Sequence, residues 1–123
     1  MPTDAEWKSL EMYLGMSQAT ANLAGWRGAD EGSKRAGNAV LWTDSVLNQN
    51  AVFETSGFTA LPGGHRGNDK TFGNIGVYGR WWSATEYDNN FAWYRSMHYG
   101  FIDLSRVYDR SKEIGFSVRC FKD

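Results

Sequence analysis

An α+β domain is what this sequence predicts, on three observations. A strong helical signature opens the chain, and short alternating segments fill its second half. Aromatics and glycine are plentiful while proline is scarce: six Trp, six Tyr, seven Phe and 14 Gly against two Pro. Helix first and strands afterwards, rather than the two in alternation, is the pattern of that class. Many aromatics with many glycines suit short strands, tight loops and a surface that recognises ligands. The 123 residues are read as one domain spanning residues 1–123, large enough to bury roughly two thirds of the surface its unfolded chain exposes.

The opening Thr3-Asp4-Ala5-Glu6 reads as a capping box, in which the Thr3 hydroxyl accepts from the Glu6 amide and the Glu6 carboxylate accepts from the Thr3 amide. Trp7, Leu10 and Leu14 follow at i, i+3 and i+7, an apolar stripe, and Gly15 is placed to end the helix. Lys8 and Glu11 are assigned to the solvent side of this helix. A second, weaker helical segment covers residues 17–24. From residue 25 to residue 56 periodicity is poor, and the stretch reads as a long ordered loop with a short helical turn. A loop of about 30 residues argues against a simple sandwich or bundle, and long loops of this kind are often functional.

Strands come after it. Residues 58–61 precede the Pro62-Gly63-Gly64 turn, and residues 67–70 mark another turn. Residues 77–83 read as a strand and residues 86–90 as a turn. Residues 91–99 alternate well, with Trp93, Arg95, Met97 and Tyr99 on one face and Tyr94, Ser96 and His98 on the other. Residues 115–121 read as a final strand with Phe116, Val118 and Cys120 on one face, so Cys120 is expected to be a buried small hydrophobe.

Composition narrows the functional classes. A net charge of −1 without a run of Lys or Arg argues against a surface that tracks nucleic-acid phosphates. No apolar run approaches the ~18 residues of a membrane helix. A single cysteine excludes an intramolecular disulfide and any CxxC zinc or redox site. Met1-Pro2-Thr3-Asp4 has neither the basic nor the apolar region of a signal peptide, so an export address is expected outside this sequence. His65 and His98 have no clustered Cys or carboxylate, and no metal site, cofactor or catalytic residue is assigned. His65 reads as structural, His98 as a recognition residue. Glu86, Asp88, Asn89 and Asn90 could supply oxygen ligands to calcium, but a polar hairpin turn is the preferred reading. No nucleophile elbow or phosphate loop is present, so the chain is not expected to be an enzyme.

The most informative stretch is residues 81–120. Trp81-Trp82-Ser83-Ala84-Thr85-Glu86, Ala92-Trp93 and Gly115-Phe116-Ser117-Val118-Arg119-Cys120 bracket side chains mixed in size, charge and polarity. A rigid aromatic frame around miscellaneous side chains is the look of a binding surface, whereas a catalytic centre needs a few defined groups at fixed geometry. Trp7, Trp82 and Trp93 are expected in the core, with Trp26 and Trp81 left open.

These brackets, together with Pro2-Thr3-Asp4-Ala5-Glu6-Trp7 and Ser56-Gly57-Phe58-Thr59-Ala60-Leu61-Pro62-Gly63-Gly64-His65-Arg66, resemble the Fibrobacter succinogenes major paralogous domain over nearly the whole chain. The resemblance implies a C-type-lectin-like fold. It is strongest to gut Bacteroides proteins whose C-terminal segment is rewritten by diversity-generating retroelements, and it implies a variable region within residues 81–120. Fixed positions would then be Ala92, Trp93, Arg95, Met97, Tyr99, Arg106, Lys112 and 115–120. The ligand-contacting ones would be Tyr94, Ser96, His98, Gly100, Phe101, Asp103, Ser105, Val107, Tyr108, Asp109, Glu113 and Ile114. The strand reading independently puts Tyr94, Ser96 and His98 on one face. A strand that the family carries ahead of its first helix has no counterpart here, so residues 115–121 are expected to have an open edge. The function implied is that of an adhesin or receptor-recognition module for a protein or glycan, on a cell surface, outside the cell or on a phage particle. The alternative is a structural, non-diversified domain of a bacterial surface lipoprotein or pilus.

Overall fold

A computed structural model describes residues 1–122, and the domain is α+β. Helix α1 (Asp4–Tyr13) carries the predicted capping box, and Gly15, at φ +117°, takes the left-handed conformation after its end. Trp7 and Leu14 are buried as the stripe requires. Helix α2 (Gln18–Ala21) is shorter than expected and is capped by Ser17.

Residues 25–56 are not a loop. They contain strand β1 (Gly25–Arg27), helix α3 (Glu31–Arg35), a 3-10 turn (Ala39–Leu41) and helix α4 (Val46–Gln49). Elements of three to five residues are too short to show a period. The α3 sequence Glu-Gly-Ser-Lys-Arg hides its burial because what it buries is polar. The Ser33 amide donates to Ile102 O at 3.2 Å and its hydroxyl to Leu47 O at 3.0 Å. A Cβ on Gly32 would strike the backbone carbonyls of Ile102 and Asp103, which lie against α3.

Strands β2 (His65–Arg66) and β3 (Phe72–Gly73) form a small hairpin. Strands β4 (Tyr78–Glu86), β5 (Ala92–His98) and β6 (Leu104–Val107) join β1 in an antiparallel sheet of order β1-β6-β5-β4. Residues 58–61 form no strand and contribute only a bridge between Ala60 and Ala36. The final strand is likewise absent. Gly115 bridges Arg66 on one side and Ser117 bridges Trp81 on the other, so the segment changes partner every two residues and never runs along one edge. Cys120 is consequently exposed rather than buried.

The register separates two faces. One carries Leu104, Arg106, Arg95, Met97, Gly79 and Trp81 and packs with Trp7, Ala36, Trp42, Leu47 and Ala60 into the core. Glu11, assigned to solvent from its charge, is 0% exposed. It accepts from Arg27 Nη2 and Arg95 Nε, each at 2.5 Å, while Asp4 pairs with Arg95 and Arg106 at 2.7 and 2.9 Å. Helix α1 is thus fastened to β1, β5 and β6 by a buried ionic network. Arg35 completes it without a hydrogen-bond partner for any of its guanidinium nitrogens. It lies instead over the Trp7 and Trp81 rings at 4.9 and 5.0 Å.

Candidate functional site

The outer face of the four-stranded sheet is where the sequence-predicted residues converge. Antiparallel partners place their side chains on the same face. The rows Trp26-Ser105-Ser96-Arg80, Val107-Tyr94-Trp82 and His98-Tyr78 therefore lie side by side. Tyr94, Ser96 and His98 share this face as the alternation predicts, and Ser105 and Val107 of β6 join them. Phe101, 46% exposed in the β5–β6 turn, packs on Trp26, 39% exposed, with ring centroids 4.6 Å apart, and on His98 at 5.2 Å. Gly100 lies in the same turn, its amide donating to His98 Nδ1 at 2.9 Å.

The remaining members are elsewhere. Tyr108 lies at the far end, stacked on Tyr87 at 3.7 Å and edge-on to Trp93. Asp103 lies beside α3, and burial holds its carboxyl above the usual range. Glu113 is exposed beyond the sheet, and Ile114 offers its carbonyl to Trp82 Nε1 at 3.1 Å.

Several expectations need correction. Tyr94, expected to contact ligand, is only 3% exposed, because Phe116 covers it at 4.7 Å and its hydroxyl donates to Asp109 at 2.6 Å. Its phenol pKa is pushed up, by burial first and then by that bond. Ser96 and Ser105 are also buried, as small residues flanked by larger ones on the sheet floor. Trp93, expected in the core, is half-buried at the sheet's end with Arg106 3.7 Å above its ring. Trp82 is half-buried on the outer face against Phe116 and Tyr94. Of the two tryptophans left open, Trp81 belongs to the core and Trp26 to the surface.

One end of the face is therefore closed by residues 109–117, and the other end, around Trp26, Phe101 and His98, is open, with Ser96 and Ser105 only 5% and 2% exposed on its floor. No contact within the chain engages the Ser96 or Ser105 hydroxyl among the described residues. Gly100 occupies Nδ1 of His98, which puts the proton of the neutral ring on Nε2. Burial, then Arg80, holds the pKa of this ring below the ordinary histidine value. Arg80 was overlooked in the sequence because it stands one residue ahead of the aromatic frame that begins at Trp81. Strand alternation from Trp82 would have placed it on this face.

The His65 ring lies 3.4 Å from both Asn74 Nδ2 and Arg80 Nη1. At residues 86–90, Asp88 Oδ1 accepts from the amides of Asn90 and Phe91, and Glu86 pairs with Lys112 at 2.8 Å, as a polar turn requires. No group of three His, Cys, Asp or Glu side chains converges among the described residues, and no helix there is long and apolar enough to cross a membrane. A wider concavity lies elsewhere, a groove between α1 and residues 119–122 lined by Leu10, Tyr13, Phe58 and Phe121. Its arginine, Arg119, is already engaged by Phe58 O at 2.8 Å, so the outer sheet face carries the freer chemistry.

No curated protein and no solved structure is significantly similar to the chain. A family model described as the Fibrobacter succinogenes major domain matches residues 1–122. With that match covering nearly its whole length, the chain belongs to the Fibrobacter succinogenes major domain family.

Proposed function

We propose that this domain is a ligand-binding module, an adhesin or receptor-recognition domain of C-type-lectin-like fold. In this reading it displays the open end of its outer sheet face at a cell surface or in the extracellular space. The observation that carries it is the gathering of Trp26, Phe101 and His98 around the unengaged hydroxyls of Ser96 and Ser105. Rigid amphipathic aromatics lose little rotamer freedom for the area they bury, and adaptable hydroxyls beside them satisfy a partner's polar groups. The reading extends to diversification by a retroelement of the C-terminal positions named above, Ser96, His98, Phe101 and Ser105 among them.

The purified domain is screened on a glycan array and a panel of extracellular proteins. Trp26→Ala, His98→Ala and Phe101→Ala are then measured against each ligand found. Loss of at least ~2 kcal/mol of affinity at one of them, with melting temperature retained, is the expected result. Ligands indifferent to all three, yet lost on changing exposed residues of α1 such as Met12, would place the site elsewhere. Diversification is tested in the source genome: an adjacent reverse transcriptase and an imperfect repeat differing at adenines are expected, and their absence would remove that part.

A further inference from the structure

Resting on the ligand-binding reading above, we infer that Arg80 anchors a subsite on the outer sheet face for the carboxylate or sulfate group of an acidic saccharide. Arg80 is 9% exposed and makes no ion pair among the described residues. Its Nε is buried without a partner, and its one hydrogen-bond contact is the weak 3.4 Å approach of Nη1 to the His65 ring. The guanidinium carbon stands 4.1 Å from the Tyr78 ring centroid and 5.8 Å from that of Phe116, so two aromatic rings limit where its fork can turn. A desolvated guanidinium left short of acceptors is costly, and a bidentate oxyanion is the partner whose geometry it matches. Arg110 adds a second positive charge nearby. Asp109, the neighbouring carboxylate, has one oxygen taken by the Tyr94 hydroxyl.

The row that starts at Arg80 says what the rest of the ligand is. Ser96 and Ser105 follow it across the sheet, and Trp26 ends it. Strands lie ~4.8 Å apart, so Arg80 and Trp26 are separated by about 14 Å, the span of a short oligosaccharide rather than one sugar. Serine hydroxyls donate and accept, as sugar hydroxyls do, and the Nε2–H of His98 in the next row adds a donor. The exposed indole of Trp26 offers a flat apolar surface to the C–H face of a pyranose. An acidic peptide would use the arginine but has no comparable need of two free hydroxyls on the floor.

The full chain is titrated with sialyllactose, sulfated lactose, lactose and an acidic peptide, followed by calorimetry and amide chemical shifts. At least one acidic sugar is expected to bind about tenfold or more tighter than lactose, the margin of one charge-assisted hydrogen bond. Shifts should concentrate at Arg80, Ser96, Ser105 and Trp26. Arg80→Gln should reduce the acidic sugar to the lactose level, Arg80→Lys should recover only part of the preference, and Lys8→Gln, on the opposite layer, should leave it intact. The comparison of acidic with neutral sugar uses the unsubstituted protein and so stands even if Arg80→Gln fails to fold. Equal binding of acidic and neutral sugars, absence of binding by any sugar at millimolar concentration, or binding of the peptide alone overturns the inference. A ligand that needs Trp26 and Phe101 but not Arg80 overturns it too, while leaving the proposed function standing.

Discussion

Replacing Glu11 with glutamine should be among the most damaging single changes in this domain, although it alters one atom type and almost no volume. The carboxylate is 0% exposed, bonded to Arg27 and Arg95 and 3.9 Å from Arg35. With Asp4 already shared between Arg95 and Arg106, the amide would leave Arg27 and Arg35 facing no carboxylate, and its NH2 would add donors to a site crowded with them. Breaking a buried ionic network by removing one partner costs ~3–5 kcal/mol. For a domain of this size that is a fall of roughly 10–20 °C in melting temperature. Thermal and urea unfolding followed by tryptophan fluorescence measure it, with Lys8→Gln as control. Lys8 makes only a partly exposed i,i+4 pair with Asp4, which is worth about 0.5 kcal/mol. A Glu11→Gln loss below ~1 kcal/mol, or one matched by Lys8→Gln, would refute the network as the tie between α1 and the sheet.

Three further outcomes are expected. Tyr94→Phe should cost ~1 kcal/mol for the lost bond to Asp109, and Tyr94→Ala ~3–5 kcal/mol for the ring, both read by urea unfolding. An alanine variant as stable as the parent would restore Tyr94 to the ligand-contacting residues. Burial alone would raise the Asp4 carboxyl, but bonds and charges from Arg106 and Arg95 outweigh it and hold it at about 2 against an ordinary 3.8. A folded-state pKa below the unfolded one gives stability that is fully present above 3.8 and lost as pH falls toward about 2. The urea midpoint should drop across that window, and Asp4→Asn should flatten the drop. Cys120, being exposed, should react stoichiometrically with a thiol reagent in native buffer. Reaction only after denaturation would put the C-terminal segment in a strand after all.

The sequence alone determined the parts of this protein that depend on local periodicity. The Thr3–Glu6 capping box, the Trp7–Leu14 stripe and the alternation of residues 91–99 are read from a few neighbouring residues, and the structure repeats them. The face shared by Tyr94, Ser96 and His98 follows from that alternation. Which members of the face are accessible was decided by residues 109–117, distant in sequence, whose Phe116 covers Tyr94 and Trp82 while Trp26 and Phe101 stay open. The C-terminal segment shows the limit from the other side, since its strand-like alternation has no continuous edge to pair with. Glu11 shows it most sharply. At i+4 from Trp7 it stands on the buried stripe, and only its charge argued for solvent. What decides is whether counter-charges wait inside, and for Glu11 they are three arginines, at residues 27, 35 and 95. Only the folded chain brings them together, because the cost of burying a charge is set by its partners in space and not by its neighbours in sequence.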